Sequence, residues 1–126
     1  DLYGVPEWPR FKYDRPEGII EIPIPTLRKN NANTGIGGGG YFRLYPYRLS
    51  KKRIQRFMNE EPHPYNFYFH PWEIDPDQPR IEGASLLSKF RHYINLSRME
   101  TKIVKLLKDY KWQTISRTYD IVKEQK

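Results

Sequence analysis

The fold is predicted chiefly from the stretch YNFYFHPWEID at residues 65–75. Aromatic residues dominate its first half, and prolines at positions 64 and 71 lie on either side of that half. Aromatic runs between prolines are typical of short buried strands. The stretch therefore predicts a strand over Tyr65–His70, whose end presents the side chains of His70 and Trp72.

The segments on either side of this strand alternate between strand and helix patterns. Ile19–Ile24 is a β-branched run that predicts a short, irregular strand, because prolines 23 and 25 lack the amide proton that a neighbouring strand needs. Apolar spacing predicts a helix over Lys51–Glu60, capped by Ser50. A second helix is predicted to begin at Asn95 or Ser97 and to run to Tyr110. A last short strand is predicted over Lys111–Ile115. The alternation predicts an α/β fold with parallel strands joined by crossover helices.

The other segments carry weaker patterns. Residues 1–18 are rich in proline and aromatic rings, which predicts an ordered loop held by ring contacts. Loops are predicted at residues 28–34, which are polar, and at residues 75–83. Ser85–Tyr93 is ambiguous and predicts at most a helical turn, and residues 116–125 predict a final turn of helix.

The composition excludes several classes of protein. The chain has 126 residues and no cysteine, so it has no disulfide framework, no thiolate metal ligand and no thiol nucleophile. At this length it forms one structural unit at most. The mean hydropathy of −0.86 predicts no membrane span, and the first residues lack the order of a signal peptide. The net charge of +7 comes from cations interleaved with acidic and aromatic residues, which favours solvated helix faces.

Four consecutive glycines lie at positions 37–40, before the run YFRLYPY at residues 41–47. Gly35, Gly37 and Gly40 match the G-x-G-x-x-G spacing of dinucleotide-binding loops, but such a loop opens a helix. We expect these glycines to lead into a non-helical segment, and we reject that site. An RNA-binding aromatic strand is rejected too, because its companion motif is missing. The glycines nevertheless predict a position where another group approaches the backbone closely.

His70 is the strongest candidate for acid–base chemistry. It ends the aromatic strand, where α/β folds present catalytic groups, and Trp72, Glu73 and Asp75 follow it. The alternative, in which His70 only makes structural hydrogen bonds at the strand end, is equally compatible with the local sequence. His63 and His92 are predicted to be surface or loop residues. No pair of histidines has the helical spacing of metal ligands, so the chain alone predicts no metal site.

Three long motifs support a resemblance to a known family. GGGGYFRLYPY (37–47), NFYFHPWEIDPDQPR (66–80) and KFRHYINLSRMETKIVKLLKDYKW (89–112) resemble the C-terminal region of bacterial polysaccharide deacetylases of the NodB-homology type, in the exosortase-linked exopolysaccharide branch, with its C-terminal domain of unknown function. YGVPEWPRFKY and EIPIPT near the start are similar to the same family. The resemblance covers nearly the whole chain.

The resemblance implies the C-terminal part of a distorted (β/α) barrel that deacetylates an N-acetylated polysaccharide. In such enzymes an Asp-His-His triad holds a divalent metal, usually zinc, a second Asp is the base, and a late His protonates the leaving amine. His70 matches that acid. The Asp-Asp, His-x-x-x-His and Arg-x-Pro motifs are absent, so the metal ligands are expected outside this chain. The non-Met start at Asp1 agrees with residues 1–126 being the C-terminal portion of a longer enzyme whose metal-binding half is missing.

The resemblance also implies a sugar-binding groove. Tyr41, Phe42, Arg43, Trp72 and Glu73 are the expected substrate-binding residues, with core packing as the alternative for the two rings at 41 and 42. The family's Asp-Trp motif, whose Asp tunes the acid His, is absent, and Glu21 and Trp72 are candidates for those two roles. The expected partners are the polysaccharide and the N-terminal half of the same enzyme, in the bacterial cytoplasm, with no nucleic acid. The segment alone is expected to be inactive.

A second function remains open from the charges. A non-catalytic basic module could bind anionic polysaccharide or nucleic acid through Lys51, Lys52, Arg53 and Arg56, together with the lysines of the long helix. Steeply salt-dependent binding to an anionic polymer would distinguish this module from an enzyme segment.

Overall fold

The computed structural model describes residues 7–121. Within this range the strands are β1 (Tyr13–Asp14), β2 (Ile20–Glu21), β3 (Thr26–Lys29) and β4 (Ala32–Gly35). The α-helices are α1 (Gly39–Leu44), α2 (Tyr47–Glu60), α3 (Leu86–Tyr93), α4 (Leu96–Asp109) and α5 (Ile115–Thr118), and a 3-10 helix spans Pro71–Ile74. The mixed α/β class is confirmed.

The predicted parallel arrangement of strands is wrong. The described residues form two antiparallel hairpins, β1–β2 and β3–β4, rather than one sheet. The second hairpin lies where a polar loop was predicted, and its turn places Asn30 and Asn31 at φ 48° and 63°. A two-residue turn with both residues at positive φ matches the twist of paired strands, and asparagine tolerates that conformation better than most residues.

The aromatic segment 65–70 is extended but forms no strand ladder. It makes one parallel bridge, between Tyr68 and Gly38, in which the Tyr68 amide donates to the Gly37 carbonyl at 2.9 Å. The predicted strand at Lys111–Ile115 is unpaired, and Ile115 instead begins α5. Residues 7–121 close no barrel, so the NodB-type barrel stays a prediction.

The two long helices are confirmed and enclose the main core. α2 begins at Tyr47, so Ser50 is a buried position inside the helix rather than its cap, while Asn95 occupies the N-cap position of α4. The core between them is apolar and almost free of solvent, and contains Phe42, Ile54, Met99, Ile103 and Leu106. A second cluster of Leu27, Ile36 and Phe57 packs the β3–β4 hairpin against α2.

Three predictions about the flanking segments have mixed outcomes. Ser85–Tyr93 contains a full helix, α3, whose N-cap Ser85 accepts a bond from the Ser88 amide at 3.2 Å. The predicted ring contact of the N-terminal loop exists at Phe11, which stacks on His63 at 3.7 Å. The parts of the predicted loop and final helix at residues 1–6 and 122–125 lie outside the described residues.

A polar contact at the end of α4 predicts a pH dependence of stability. Asp109 accepts hydrogen bonds from Lys51 Nζ and Tyr47 Oη of α2, both at 2.7 Å, and these bonds hold the pKa of its carboxyl below the usual value. Because the pKa is lower in the folded than in the unfolded chain, the carboxylate stabilises the fold at neutral pH. This contribution is lost as the pH falls below about 4.

We therefore expect Asp109→Asn to lower the melting temperature at neutral pH, with the difference from the parent narrowing as the medium is acidified. Thermal melts across the acid range measure this, and Asp120→Asn is the matched control, since the Asp120 carboxylate makes no hydrogen bond among residues 7–121. An effect of Asp109→Asn that stays constant with pH would contradict the prediction.

Candidate functional site

The candidate site begins at His70, directly before the 3-10 helix. Its imidazole is 57% exposed, and its Nδ1 lies 3.6 Å from Oε2 of Glu73. Pro71 fixes the chain direction immediately after His70 and starts the short helix that turns Glu73 back toward it. The sequence order His-Pro-Trp-Glu thus brings an exposed imidazole beside a carboxylate.

Glu73 is buried, with 2% of its side chain exposed. Its Oε2 accepts a hydrogen bond from the His70 amide at 2.9 Å, and its Oε1 lies 3.9 Å from the Arg43 guanidinium. The carboxylate lies against the α-carbon of Gly39, at the first turn of α1. A buried carboxylate is retained only where cations and amides compensate it, as they do here.

This contact explains the glycine at position 39 and corrects one expectation. The glycines do lead into a helix, α1, and each close approach has its own group: Pro25 and the Asn66 carbonyl lie against Gly37, the Tyr68 ring lies against Gly38, and the Glu73 side chain lies against Gly39. A carboxylate already occupies that position, and α1 has only six residues. The rejection of a dinucleotide site therefore stands, although the reason first given for it was wrong.

Arg43 is buried beneath the same site, with 3% of its side chain exposed. Its Nη1 donates to the His92 carbonyl at 2.7 Å and its Nη2 to the Arg91 carbonyl at 2.9 Å, so it caps the C-terminal end of α3. Burial lowers the pKa of its guanidinium, an effect that the nearby Glu73 partly opposes. Arg43 therefore joins α1, α3 and the 3-10 helix and presents no surface to a ligand.

Trp72 lies in a stack of rings beside His70. The His92 ring stacks on it at 4.2 Å, and the His70 ring lies nearly parallel to it at 5.7 Å. Gln78 Oε1 lies 2.9 Å from His92 Nε2, and Gln78 Nε2 donates to the Trp72 carbonyl at 2.8 Å. These contacts fix the orientation of the indole.

His92 is the residue of this site that the sequence did not predict. It was expected on the surface or in a loop, but it is half-buried in the last turn of α3. No local pattern could reveal it, because its partner Trp72 is distant in sequence and the contact depends on how α3 packs. His63 is exposed, as predicted, and packs on Phe11.

The predicted substrate-binding residues fall into two places. Arg43, Trp72 and Glu73 lie together around His70, whereas Phe42 is in the core with 3% exposure, which favours the packing alternative. Tyr41 is half-buried and lines a separate apolar pocket of about 340 Å³ between α1 and α3. Glu21 accepts a bond from Arg15 at 3.1 Å in the first hairpin, so the carboxylate beside His70 is Glu73.

No metal site is apparent in the part of the chain that the structure describes. Among residues 7–121, no group of three or more His, Cys, Asp or Glu side chains is placed to hold a metal ion. The location of the metal ligands elsewhere stays a prediction. In the same range, no helix combines the length and the apolar character needed to cross a membrane.

The family model described as "Domain of unknown function (DUF3473)" matches residues 1–120. The chain belongs to the DUF3473 family. This assignment is consistent with the C-terminal domain of unknown function that the resemblance implied, and it covers His70 together with every residue of the stack. Neither a curated protein nor a solved structure shows a significant match to this DUF3473 domain.

Proposed function

We propose that this DUF3473 domain is the C-terminal segment of a metal-dependent polysaccharide N-deacetylase of bacterial exopolysaccharide biosynthesis, with His70 as its general acid. The observation that carries the proposal is the exposed His70 imidazole backed by the buried Glu73 carboxylate at 3.6 Å. Family membership and the three long motifs support it.

The pair has the arrangement that general acid catalysis needs. Glu73 faces Nδ1 and is itself held by the His70 amide and by Arg43, so the ring has a preferred orientation. Nε2 is then free to donate a proton to the amine that leaves when the acetamide is cleaved. In the absence of substrate such contacts are often longer than a hydrogen bond, as the 3.6 Å separation is here.

The proposal assigns different roles to the five predicted substrate-binding residues. Trp72 contributes the aromatic surface beside His70 and meets the sugar ring. Glu73 and Arg43 lie in the interior beneath His70 and position the acid, because both side chains are buried and already have polar partners in the protein. Phe42 supports the helix from the core, and Tyr41 belongs to the neighbouring pocket.

A divalent metal, expected to be zinc, does not fit the described residues of this chain. The proposal therefore places the metal, its ligands and the base in the N-terminal half of the enzyme. In an intact reading frame, the sequence upstream of Asp1 is expected to contain an Asp-Asp pair and a His-x-x-x-His motif. Their absence would overturn the proposal.

In the full-length enzyme, we expect His70→Ala to lower the deacetylation rate by about two orders of magnitude or more, since a general acid contributes roughly that factor. The metal content should stay unchanged, because His70 is not a ligand in this proposal. Release of acetate from an N-acetylated polysaccharide measures the rate, and metal analysis of the same samples measures the second quantity.

His63→Ala is the matched control, because His63 is also exposed and also packs on an aromatic ring, but lies outside the site. It should leave the rate near that of the parent. Near-normal deacetylation by His70→Ala, or loss of metal from that variant, would contradict the assigned role.

A further inference from the structure

A second concave surface lies between the β3–β4 hairpin and α2. The cleft has a volume of about 590 Å³, which is within the range of ligand sites. One wall is a face of the hairpin that carries Lys29 and Thr34, and the register pairs Thr34 with Leu27, two residues before Lys29. The other wall is α2, whose residues at positions 49, 52, 53, 56 and 60 lie along one stripe of the helix.

The cleft carries cations without counterions. Arg56 Nε is paired with Glu60 at 2.8 Å, but the ammonium groups of Lys29 and Lys52 make no ion pair or hydrogen bond with residues 7–121. Arg53 also lines the cleft, and its guanidinium packs over the Tyr45 ring at 4.2 Å, a contact that leaves its charge without a counterion. Three positive charges therefore converge on one cleft, which attracts an anionic ligand.

The remaining polar groups of the cleft indicate what else the ligand carries. Gln55, Asn59 and Thr34 lie among the cations. Their side chains both donate and accept hydrogen bonds, whereas a carboxylate only accepts them. A ligand that forms hydrogen bonds with these side chains and ion pairs with the cations has hydroxyl groups as well as negative charges.

We propose that this cleft binds a segment of acidic polysaccharide, with carboxylates on Lys29, Lys52 and Arg53 and sugar hydroxyls on the neighbouring amide and threonine side chains. A polymer is favoured over a single sugar because the α2 stripe extends from Leu49 to Glu60, three turns of helix.

Nucleic acid fits the cleft less well. Single-stranded nucleic acid is bound by stacking its bases on aromatic rings, and no aromatic side chain lines this cleft. Tyr45, whose ring is covered by the Arg53 guanidinium, is not among the lining residues. Of the four basic residues that the sequence analysis named by number for a binding module, Lys52, Arg53 and Arg56 line this cleft, whereas Lys51 pairs with Asp109.

The binding proposal does not rest on the deacetylase function. The cleft residues belong to β3, β4 and α2, and within residues 7–121 no hydrogen bond, ion pair or ring contact joins their side chains to His70, Trp72 or Glu73. Polysaccharide binding by the His70→Ala variant should therefore equal that of the parent. An experiment can therefore find loss of deacetylation without loss of polysaccharide binding, or the reverse.

Isothermal titration of the 126-residue chain at low ionic strength tests the proposal with four polymers. Polygalacturonate carries carboxylates and hydroxyls, polyglutamate carboxylates alone, dextran hydroxyls alone, and oligodeoxythymidylate phosphates and bases. We expect polygalacturonate to bind most tightly and its affinity to fall as salt is added. Equal or tighter binding of any of the other three, or no binding of polygalacturonate, overturns the proposal.

The triple variant Lys29→Gln, Lys52→Gln and Arg53→Gln should weaken polygalacturonate binding by at least about tenfold, because three exposed ion pairs of modest strength are lost together. Lys52→Gln alone, at an exposed helix position, should weaken binding by about two- to threefold. This single variant keeps the test decisive if the triple variant proves unstable.

The matched control is Lys105→Gln, Lys108→Gln and Lys111→Gln, which neutralises three exposed lysines away from the cleft. Both triple variants lower the formal net charge from +7 to +4. If the control weakens binding as much as the cleft variant does, attraction depends on net charge alone and the proposed site is wrong.

Discussion

Gly39→Ala is expected to destabilise the protein by at least about 3 kcal/mol. A methyl group at this position would lie 2.7 Å from Cδ of Glu73 and closer still to Oε2. Glu73 is buried and held by Arg43 and the His70 amide, so its carboxylate cannot move without losing those partners. The steric cost therefore includes the cost of an uncompensated buried charge.

The neighbouring glycine offers a matched control. A methyl group at Gly40 meets nothing within 4 Å, and both glycines lie in α1. Gly40→Ala should be neutral or stabilise by up to about 1 kcal/mol, since alanine is the better helix former. Urea unfolding of the two variants measures the difference, and similar free energies of unfolding would mean that Glu73 does not need the space at Gly39.

Arg43→Met is expected to destabilise the protein by about 3–5 kcal/mol, the usual cost of removing one partner from a buried ion pair. Methionine retains much of the apolar stem of arginine but cannot compensate Glu73 or donate to the carbonyls of Arg91 and His92. The end of α3 would then lose its cap, and the His92 ring would lose its fixed position on Trp72.

Arg48→Met is the matched control, because Arg48 is exposed and its guanidinium makes no hydrogen bond or ion pair with residues 7–121. It removes the same charge and should change the free energy of unfolding by no more than about 0.5 kcal/mol. In a Glu73→Gln background, Arg43→Met should cost less than in the parent, because part of the penalty comes from the unpaired carboxylate. Equal costs in the two backgrounds would show that Arg43 acts only on α3.

The sequence predicted the helices better than the strands. The spacing of Ile54 and Phe57, and of Met99, Ile103 and Leu106, is local information, and α2 and α4 bury those residues. A strand needs partners from elsewhere in the chain. The aromatic segment 65–70 has the composition of a strand, yet only one residue of it bridges another segment, and the rings of Tyr65 and Phe67 pack against the core instead.

The β3–β4 hairpin was missed for the opposite reason. Its strands are short and polar, and the signal was the pair Asn30-Asn31, which was interpreted as part of a loop. An asparagine pair between two four-residue segments is compatible with either a loop or a tight turn. Packing of Leu27 and Ile36 on Phe57 of α2 stabilises the hairpin, and no local pattern shows that contact.

The residues of the candidate site also fall into two groups, those that the sequence predicted and those whose role depended on tertiary packing. His70 was predicted as an acid–base residue from its place after the aromatic run, and the resemblance added its neighbours Trp72 and Glu73 as substrate-binding residues. Whether Arg43 and Phe42 face a ligand or the interior could not be decided locally, because α1 places both side chains inward, one toward the core and one toward Glu73.

The sequence by itself determined the positions of the two long helices and placed an imidazole beside a carboxylate in the stretch at residues 65–75, because periodicity and adjacency are properties of the chain. Tertiary structure alone decided that Arg43 compensates the buried Glu73, why Gly39 has no side chain, and that His92 covers Trp72. Those contacts join segments as far apart as α1 and α3, and they form only when burial of Arg43 and Glu73 is compensated by partners from both.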